Sequence, residues 1–380
     1  MLIAAPIPAT RHAASRSRAI DNLKTVLVAG VIVGHTTMAW TGLGDWVFFE
    51  PPVREPLLTV LVLAEVVAAL FAIPLFFFVA GLFTPRSFER KGPGRFLRGR
   101  LVRLGLPMLF YVVFLSPPVE YVDPGWQGWE RGFWAFLPEV WWPPAPGPTW
   151  FLGVLLVFSA GYAAIRTVRP RRDAPPGTPR RRTLVVAVLA MAAAAYVIRI
   201  WVPLGVEFGR LALGQAPSWT LGFGLGAIAA ERGWLDPLQP RVARIARRSA
   251  WSVAAGIVTL IMVLVAFTGA EMEPFAGGGA ALSLVVALLE GVLIVSMAFW
   301  LIDLFRRRFG RQRHIAQAMS RAAFAAYVLH QLVLVGLVLG SRLIDLPPEV
   351  EYLAVSVLGV SISFGSGWLV LRIPAVSRVV

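Results

Sequence analysis

Residues 16–40 read RSRAIDNLKTVLVAGVIVGHTTMAW, and the reading of this stretch decides the fold. It opens on arginines, sets Asp21 and Lys24 at the foot of an apolar run, and places one histidine, His35, among apolar and small residues. The run is long enough to cross a bilayer as a helix. If that helix enters near Leu23, a rise of about 1.5 Å per residue carries His35 roughly 18 Å into a hydrocarbon core about 30 Å thick, at or just past the midplane. An ionisable side chain at that depth faces a bundle interior or a watery cavity, which makes His35 a functional candidate. The competing reading is a buried histidine that only bonds a neighbouring helix.

The rest of the chain has the same character. Its 380 residues are 57% hydrophobic and 15% charged, with a mean hydropathy of +0.70, the composition of a polytopic membrane protein. Segments near 21–41, 57–84, 100–117, 149–167, 183–203, 211–230, 250–269, 280–303, 320–340 and 351–372 are each apolar enough to span. Of the 36 Lys and Arg residues, all but Arg54, Arg131, Arg199, Arg210 and Arg342 fall in alternate connections or the termini, which predicts that both termini are cytoplasmic. The expected fold class is therefore an all-α integral membrane protein of about ten transmembrane helices. It comprises a basic N-terminus at 1–20, a helical domain at 21–372 and a cytoplasmic tail at 373–380. The first apolar segment lacks a convincing cleavage site and reads as a retained helix rather than a signal peptide.

The net charge of +15 and pI near 11.4 lie in short clusters between apolar runs, not on one folded surface with aromatics. That pattern argues against nucleic acid as a partner and for anionic membrane lipid. With no cysteine and four histidines in distant segments, no metal site of the usual ligand spacing is expected, and no thiolate chemistry. No P-loop, dinucleotide fingerprint or Gly-x-Ser-x-Gly elbow is present. Glycines 222, 224 and 226 fall within one apolar segment and read as close helix packing.

A second stretch of interest, residues 74–107, reads PLFFFVAGLFTPRSFERKGPGRFLRGRLVRLGLP. Arg100 and Arg103 are neighbours at i and i+3 on a helix, and Arg103 lies inside an apolar run where an arginine facing lipid is costly. With Lys24 they could form a cytoplasmic cationic pocket for phosphates, although lipid anchoring explains any one arginine equally well. The loop 118–148 is rich in Trp and Pro, suited to the membrane interface or to stacking on sugar rings. The Pro/Arg segment 166–183 reads as a disordered, lipid-facing linker.

Five of these stretches together resemble the membrane acyltransferase-3 family: AIDNLKTVLVAGVIVGH (19–35), PLFFFVAGLF (74–83), FLRGRLVRLGLP (96–107), TWFLGVLLVFSAGY (149–162) and AAYVLHQLVL (325–334). The resemblance covers nearly the whole chain. It implies a ten-helix core that moves acyl groups, commonly acetyl or succinyl, from cytoplasmic acyl-CoA to extracytoplasmic acceptors such as sugars. Carried onto this chain, it makes His35 the catalytic histidine and places the acyl-CoA-binding basic residues at Lys24, Arg100 and Arg103. Two departures stand out. The family usually has arginine where this chain has Lys24, and a histidine before the fourth helix where it has Pro148 and Thr149.

The chemistry is consistent with that role, because a neutral imidazole suits the removal of a proton from an attacking hydroxyl, contributing on the order of 10² to 10⁴-fold. Glu65, Glu290, His330 and Gln331 are possible supporting residues, each equally readable as a helix-to-helix hydrogen bond. Asp21 reads as a cap of the first helix or the partner of an arginine. The expected activity is acyl-CoA-dependent O-acyl transfer, with acetyl-CoA as the donor, a carbohydrate hydroxyl as the acceptor, and a bacterial inner membrane as the location. The rival is a transporter or flippase in which His35, Glu65 and Glu290 relay protons or bind substrate.

Overall fold

The apolar segments become ten long helices: α1 (Ala9–Thr41), α2 (Leu57–Lys91), α3 (Pro93–Tyr121), α4 (Trp150–Val168), α5 (Arg181–Arg199), α6 (Ala216–Glu231), α7 (Pro240–Thr268), α8 (Ala281–Arg308), α9 (His314–Ser341) and α10 (Pro348–Val370). The computed structural model describes residues 9–44, 46–123, 132–140, 145–171, 177–208, 211–236, 238–268 and 273–379. Among these the only β pairing is an isolated bridge between Phe208 and Leu211.

Among the described residues, nine of these ten helices are long and apolar enough to cross a membrane. The exception is α6, whose 16 residues cover roughly 24 Å at about 1.5 Å per residue, short of a core of about 30 Å. The apolar run that suggested a longer span begins in the 211–215 segment, which forms the isolated bridge and a 3-10 turn before Pro217 opens the helix. The α6 helix is held inside the bundle by α2. A Cβ on Gly222 or Gly226 would collide with the carbonyl oxygen of Pro74 or Phe78, so only glycine allows the two backbones to approach so closely.

The turn between α2 and α3 is written in the triplet Lys91-Gly92-Pro93. Gly92 sits at φ +72, closes α2 through its N–H to Phe88 O at 2.8 Å, and is followed by proline at the first position of α3. The α3 helix then widens into π turns at Leu101–Gly105 and Tyr111–Leu115. Pro107 and Pro117 explain both: neither can donate to the carbonyl four residues earlier, at Arg103 and Val113, so the ladder opens there.

The α1 helix is the hub, packing on α2, α8, α9 and α10. One buried cluster joins Leu23 to Leu75, Val79 and Phe299 near its basic end; another joins Ile32, Ala39 and Trp40 to Leu334, Val338 and Phe364. Because α1 starts at Ala9, Asp21 is interior to the helix and pairs with Lys24 at 2.7 Å instead of capping.

The segment read as a disordered linker is anchored at both described ends. Arg166 holds Glu231 through two hydrogen bonds, Arg171 reaches Glu89 and the Glu231 carbonyl, and Gly177 N donates to Arg232 O. In the Trp-rich loop, Trp126, Trp129, Trp141 and Trp142 lie outside the described residues, and Trp134 is 81% exposed.

Candidate active site

The α1 and α9 helices each contribute a histidine to one pair. His35 Nδ1 and His330 Nε2 are 2.9 Å apart with the ring planes within 2° of parallel. His330 Nδ1 bonds the backbone carbonyl of Tyr327, which can only accept. His330 therefore carries its proton on Nδ1, and when both rings are neutral its Nε2 must accept from His35 Nδ1–H. The lone pair left over is on His35 Nε2. Trp46 stacks on the His35 ring at 4.6 Å between centroids, fixing its plane.

Three cavities meet along α1. The middle one, about 300 Å³, is lined by Lys24, Val28, Val31 and His35 on α1, facing side chains such as Phe76 and Phe151. Those α1 residues form a single stripe, since eleven residues make about three turns and bring His35 back to the face of Lys24. Apart from Lys24 and His35, its wall is almost wholly apolar and aromatic.

At the Lys24 end the middle cavity shares Lys24, Phe83, Leu104 and Phe324 with a larger one of about 780 Å³. Its described lining includes Lys24, Arg86, Arg90, Lys91, Arg100 and Arg103, and no acidic side chain. The turn at Gly92 folds the basic end of α2 against the basic start of α3, which gathers these charges. Arg100 Nη2 donates to Thr84 Oγ1 at 3.0 Å, and Thr84 in turn donates to Ala80 O. Arg103 is exposed in the first π turn, and Lys24 lies 5.4 Å from the centre of the Phe83 ring. The structure thus brings Lys24, Arg100 and Arg103 into one cavity. Although Lys24 pairs with Asp21, no acidic side chain lies in the described wall itself, and the remaining like charges suit a multiply charged anion.

At the His35 end the middle cavity shares His35, Pro148 and Trp150 with a third of about 210 Å³. Here the wall is polar, with Tyr111, Ser116, Gln331, Glu120, Asp123 and Glu207. The Tyr111 hydroxyl donates to Gln331 Oε1 and that of Tyr327 to the Pro148 carbonyl. Gly147, at φ +44, sits where any side chain would strike Tyr111 and Gln331. His35 thus lies where an apolar passage ends and a polar one begins.

The remaining candidates separate. His330 and Gln331 are at the site. The Glu65 carboxylate lies against the Gly34 backbone position, 3.2 Å from where a Cβ would stand, and lines none of the three cavities. Glu290 is elsewhere, ion-paired with Arg199 at 2.6 Å in the buried interior and lining none of the three cavities. Sequence reasoning passed over Trp46, Tyr111 and Tyr327. A tyrosine three residues before His330 is a signal of sorts, but Trp46 lies in a connection with no pattern to mark it. Among the described residues, no three His, Asp or Glu side chains converge to hold a metal ion.

A family model described as an acyltransferase domain matches residues 17–372. No curated protein and no solved structure matches the chain.

Proposed function

The chain belongs to this acyltransferase family, and from that premise we propose that it is an acyl-CoA-dependent O-acyltransferase of a bacterial inner membrane, acting through residues 21–372 with both termini cytoplasmic. It moves an acetyl or similar group from cytoplasmic acyl-CoA to a hydroxyl of a carbohydrate acceptor on the far side. The observation that carries this reading is the succession of adjoining cavities that share lining residues, from one lined by six cationic side chains, past an apolar stripe on α1, to His35, whose Nδ1 is engaged by His330.

In this reading the CoA phosphates rest on Lys24, Arg100 and Arg103, with Arg86, Arg90 and Lys91 adding charge, and guanidinium forks hold phosphate oxygens in pairs. The pantetheine arm lies along the apolar stripe and brings the thioester carbon to His35. The acceptor enters through the polar cavity. Its hydroxyl gives up a proton to His35 Nε2 as the oxygen bonds the thioester carbon; collapse of the tetrahedral intermediate then breaks the C–S bond, and the proton returns from Nε2 to the departing thiolate. His330 holds the tautomer that leaves Nε2 unprotonated, and accepts from Nδ1–H more strongly as His35 gains charge. Gln331, its oxygen engaged by Tyr111, has amide hydrogens left to donate to the acceptor or to the developing oxyanion.

The test is binding and turnover of acetyl-CoA by purified protein in detergent. Wild type is expected to bind and to hydrolyse the thioester slowly without acceptor. His35→Ala is expected to bind but not turn over, and Arg100→Ala/Arg103→Ala to bind poorly. If none of the three binds any acyl-CoA at micromolar concentration, the donor assignment is wrong.

A further inference from the structure

Two rings touch the imidazole of His35, and neither is an anion. His330 takes its Nδ1 edge at 2.9 Å, and the Trp46 indole covers its face at 4.6 Å between centroids and 18° between planes. Where a serine-hydrolase triad sets a carboxylate against the imidazole, this site sets a second histidine and an aromatic face. A stack engages only the face of the ring, so the edge that carries Nε2 stays clear for a reacting hydroxyl.

Trp46 is held there by a strap fastened to both histidine-bearing helices. Beyond α1 the chain turns back, and Glu50 N donates to Ala39 O at 2.8 Å and Val53 N to Trp40 O at 3.2 Å. The Glu50 carboxylate pairs at 2.6 Å with Arg342, the residue that ends α9, and that guanidinium lies 4.6 Å from the centre of the Phe48 ring. Trp46, Phe48 and Val53 are buried in the cluster of Ile32, Ala39 and Trp40. The indole is thus fixed relative to α1 and α9 together, the two helices whose histidines meet.

We propose that Trp46 is a positioning residue that acts through His35, its indole face holding the positive charge that the imidazole acquires during acyl transfer. This inference rests on His35 being the general base. As the acceptor oxygen bonds the thioester carbon, its proton moves to Nε2 and the ring becomes a cation. When the C–S bond breaks, the proton passes to the thiolate and the ring is neutral again. An aromatic face carries the negative part of the ring quadrupole, so it attracts a cation more than a neutral ring, most strongly where water is excluded. The contact is therefore stronger in the transition state than before it, which raises kcat and leaves donor binding alone. Among aromatic side chains, indole is the best suited to this task.

The test is acetyl-CoA hydrolysis, with water in the place of the acceptor, by wild type, Trp46→Phe, Trp46→Leu and a protein carrying trifluorotryptophan at position 46 alone. Fluorine withdraws electrons from the indole face while nearly preserving its shape, so the last protein separates charge from packing. The expected result is a fall in kcat of about threefold for Trp46→Phe and about 10- to 30-fold for Trp46→Leu, with Kd for acetyl-CoA within about twofold of wild type. The fluorinated protein is expected to keep the wild-type melting temperature and to lose about three- to tenfold in kcat. Full rate in the fluorinated protein would overturn the inference whatever the leucine variant does, and so would a loss confined to Kd. His35→Ala, run beside the series, guards the premise. Turnover at the wild-type rate in that variant would remove the general base and the inference with it, whereas an inactive His35→Ala beside a fully active fluorinated protein would remove the inference alone.

Discussion

Two of the polar pairs that cross between helices in this molecule are opposites. Arg199 on α5 and Glu290 on α8 meet at 2.6 Å with almost no solvent exposure; Arg199 also donates through Nε to Gly214 O, and its carbonyl receives Gly278 N–H. The pair lines none of the three cavities along α1 and ties the ends of α5 and α8 to two glycine turns. His35 and His330 are linked by one hydrogen bond, and His35 opens on a cavity in either direction. One pair closes its charge upon itself, whereas the other keeps a lone pair facing space. An ionisable group deep in a bundle is therefore not a site by virtue of depth; what distinguishes His35 is that something could reach it.

The contrast is sharpest if Glu290→Ala is made first. It strands a buried guanidinium and is expected to cost about 3–5 kcal/mol of stability, read as a lower melting temperature in detergent, with the acyl-CoA affinity of the surviving folded fraction unchanged. The double variant Arg199→Met/Glu290→Leu should recover most of that loss; if it does not, the pair does more than close a charge. His330→Ala should differ in kind, lowering kcat of the folded protein about 10- to 100-fold in addition to any loss of melting temperature from the buried truncation, because the tautomer of His35 is no longer fixed. His330→Asn, which still offers an acceptor to His35 Nδ1–H, should restore part of the rate. Equal loss in both variants would make His330 a packing residue. The smallest effect belongs to Arg100→Ala, expected to weaken donor binding by about tenfold with kcat little changed, since five other cations line the same cavity.

Much of the fold is legible along the chain because hydropathy and proline act locally. Among the described residues nine apolar segments form membrane-length helices, and Lys91-Gly92-Pro93 announces the corner that gathers the basic cavity. The length of α6 was not legible: 211–215 is apolar for reasons of local packing, and hydropathy does not separate an apolar turn from an apolar helix. The site was half legible. Lys24 and His35 share a face by simple periodicity, so their relation could be computed from one helix. That His330 rather than Glu65 or Glu290 faces His35 could not, because the partners are 295 residues apart and their meeting depends on how α9 is rotated against α1. Arg199 stands near the end of an apolar run, and only tertiary structure supplies the buried glutamate that keeps it inside.

The unbroken course of α1 between Lys24 and His35 makes that helix a ruler. No proline interrupts it there and no π turn pads it, in contrast to α3 across the cavity, so the interval of eleven residues is held at roughly 16 Å by the regular α-helical rise. A single inserted residue would lengthen it by only about 1.5 Å but swing one end about 100° around the axis, taking Lys24 and His35 off their common face. In the reaction proposed above, that interval matches a carrier of one particular reach, and an activated acyl group on a shorter handle, such as an acyl phosphate, would be expected to reach one end of the scale without the other.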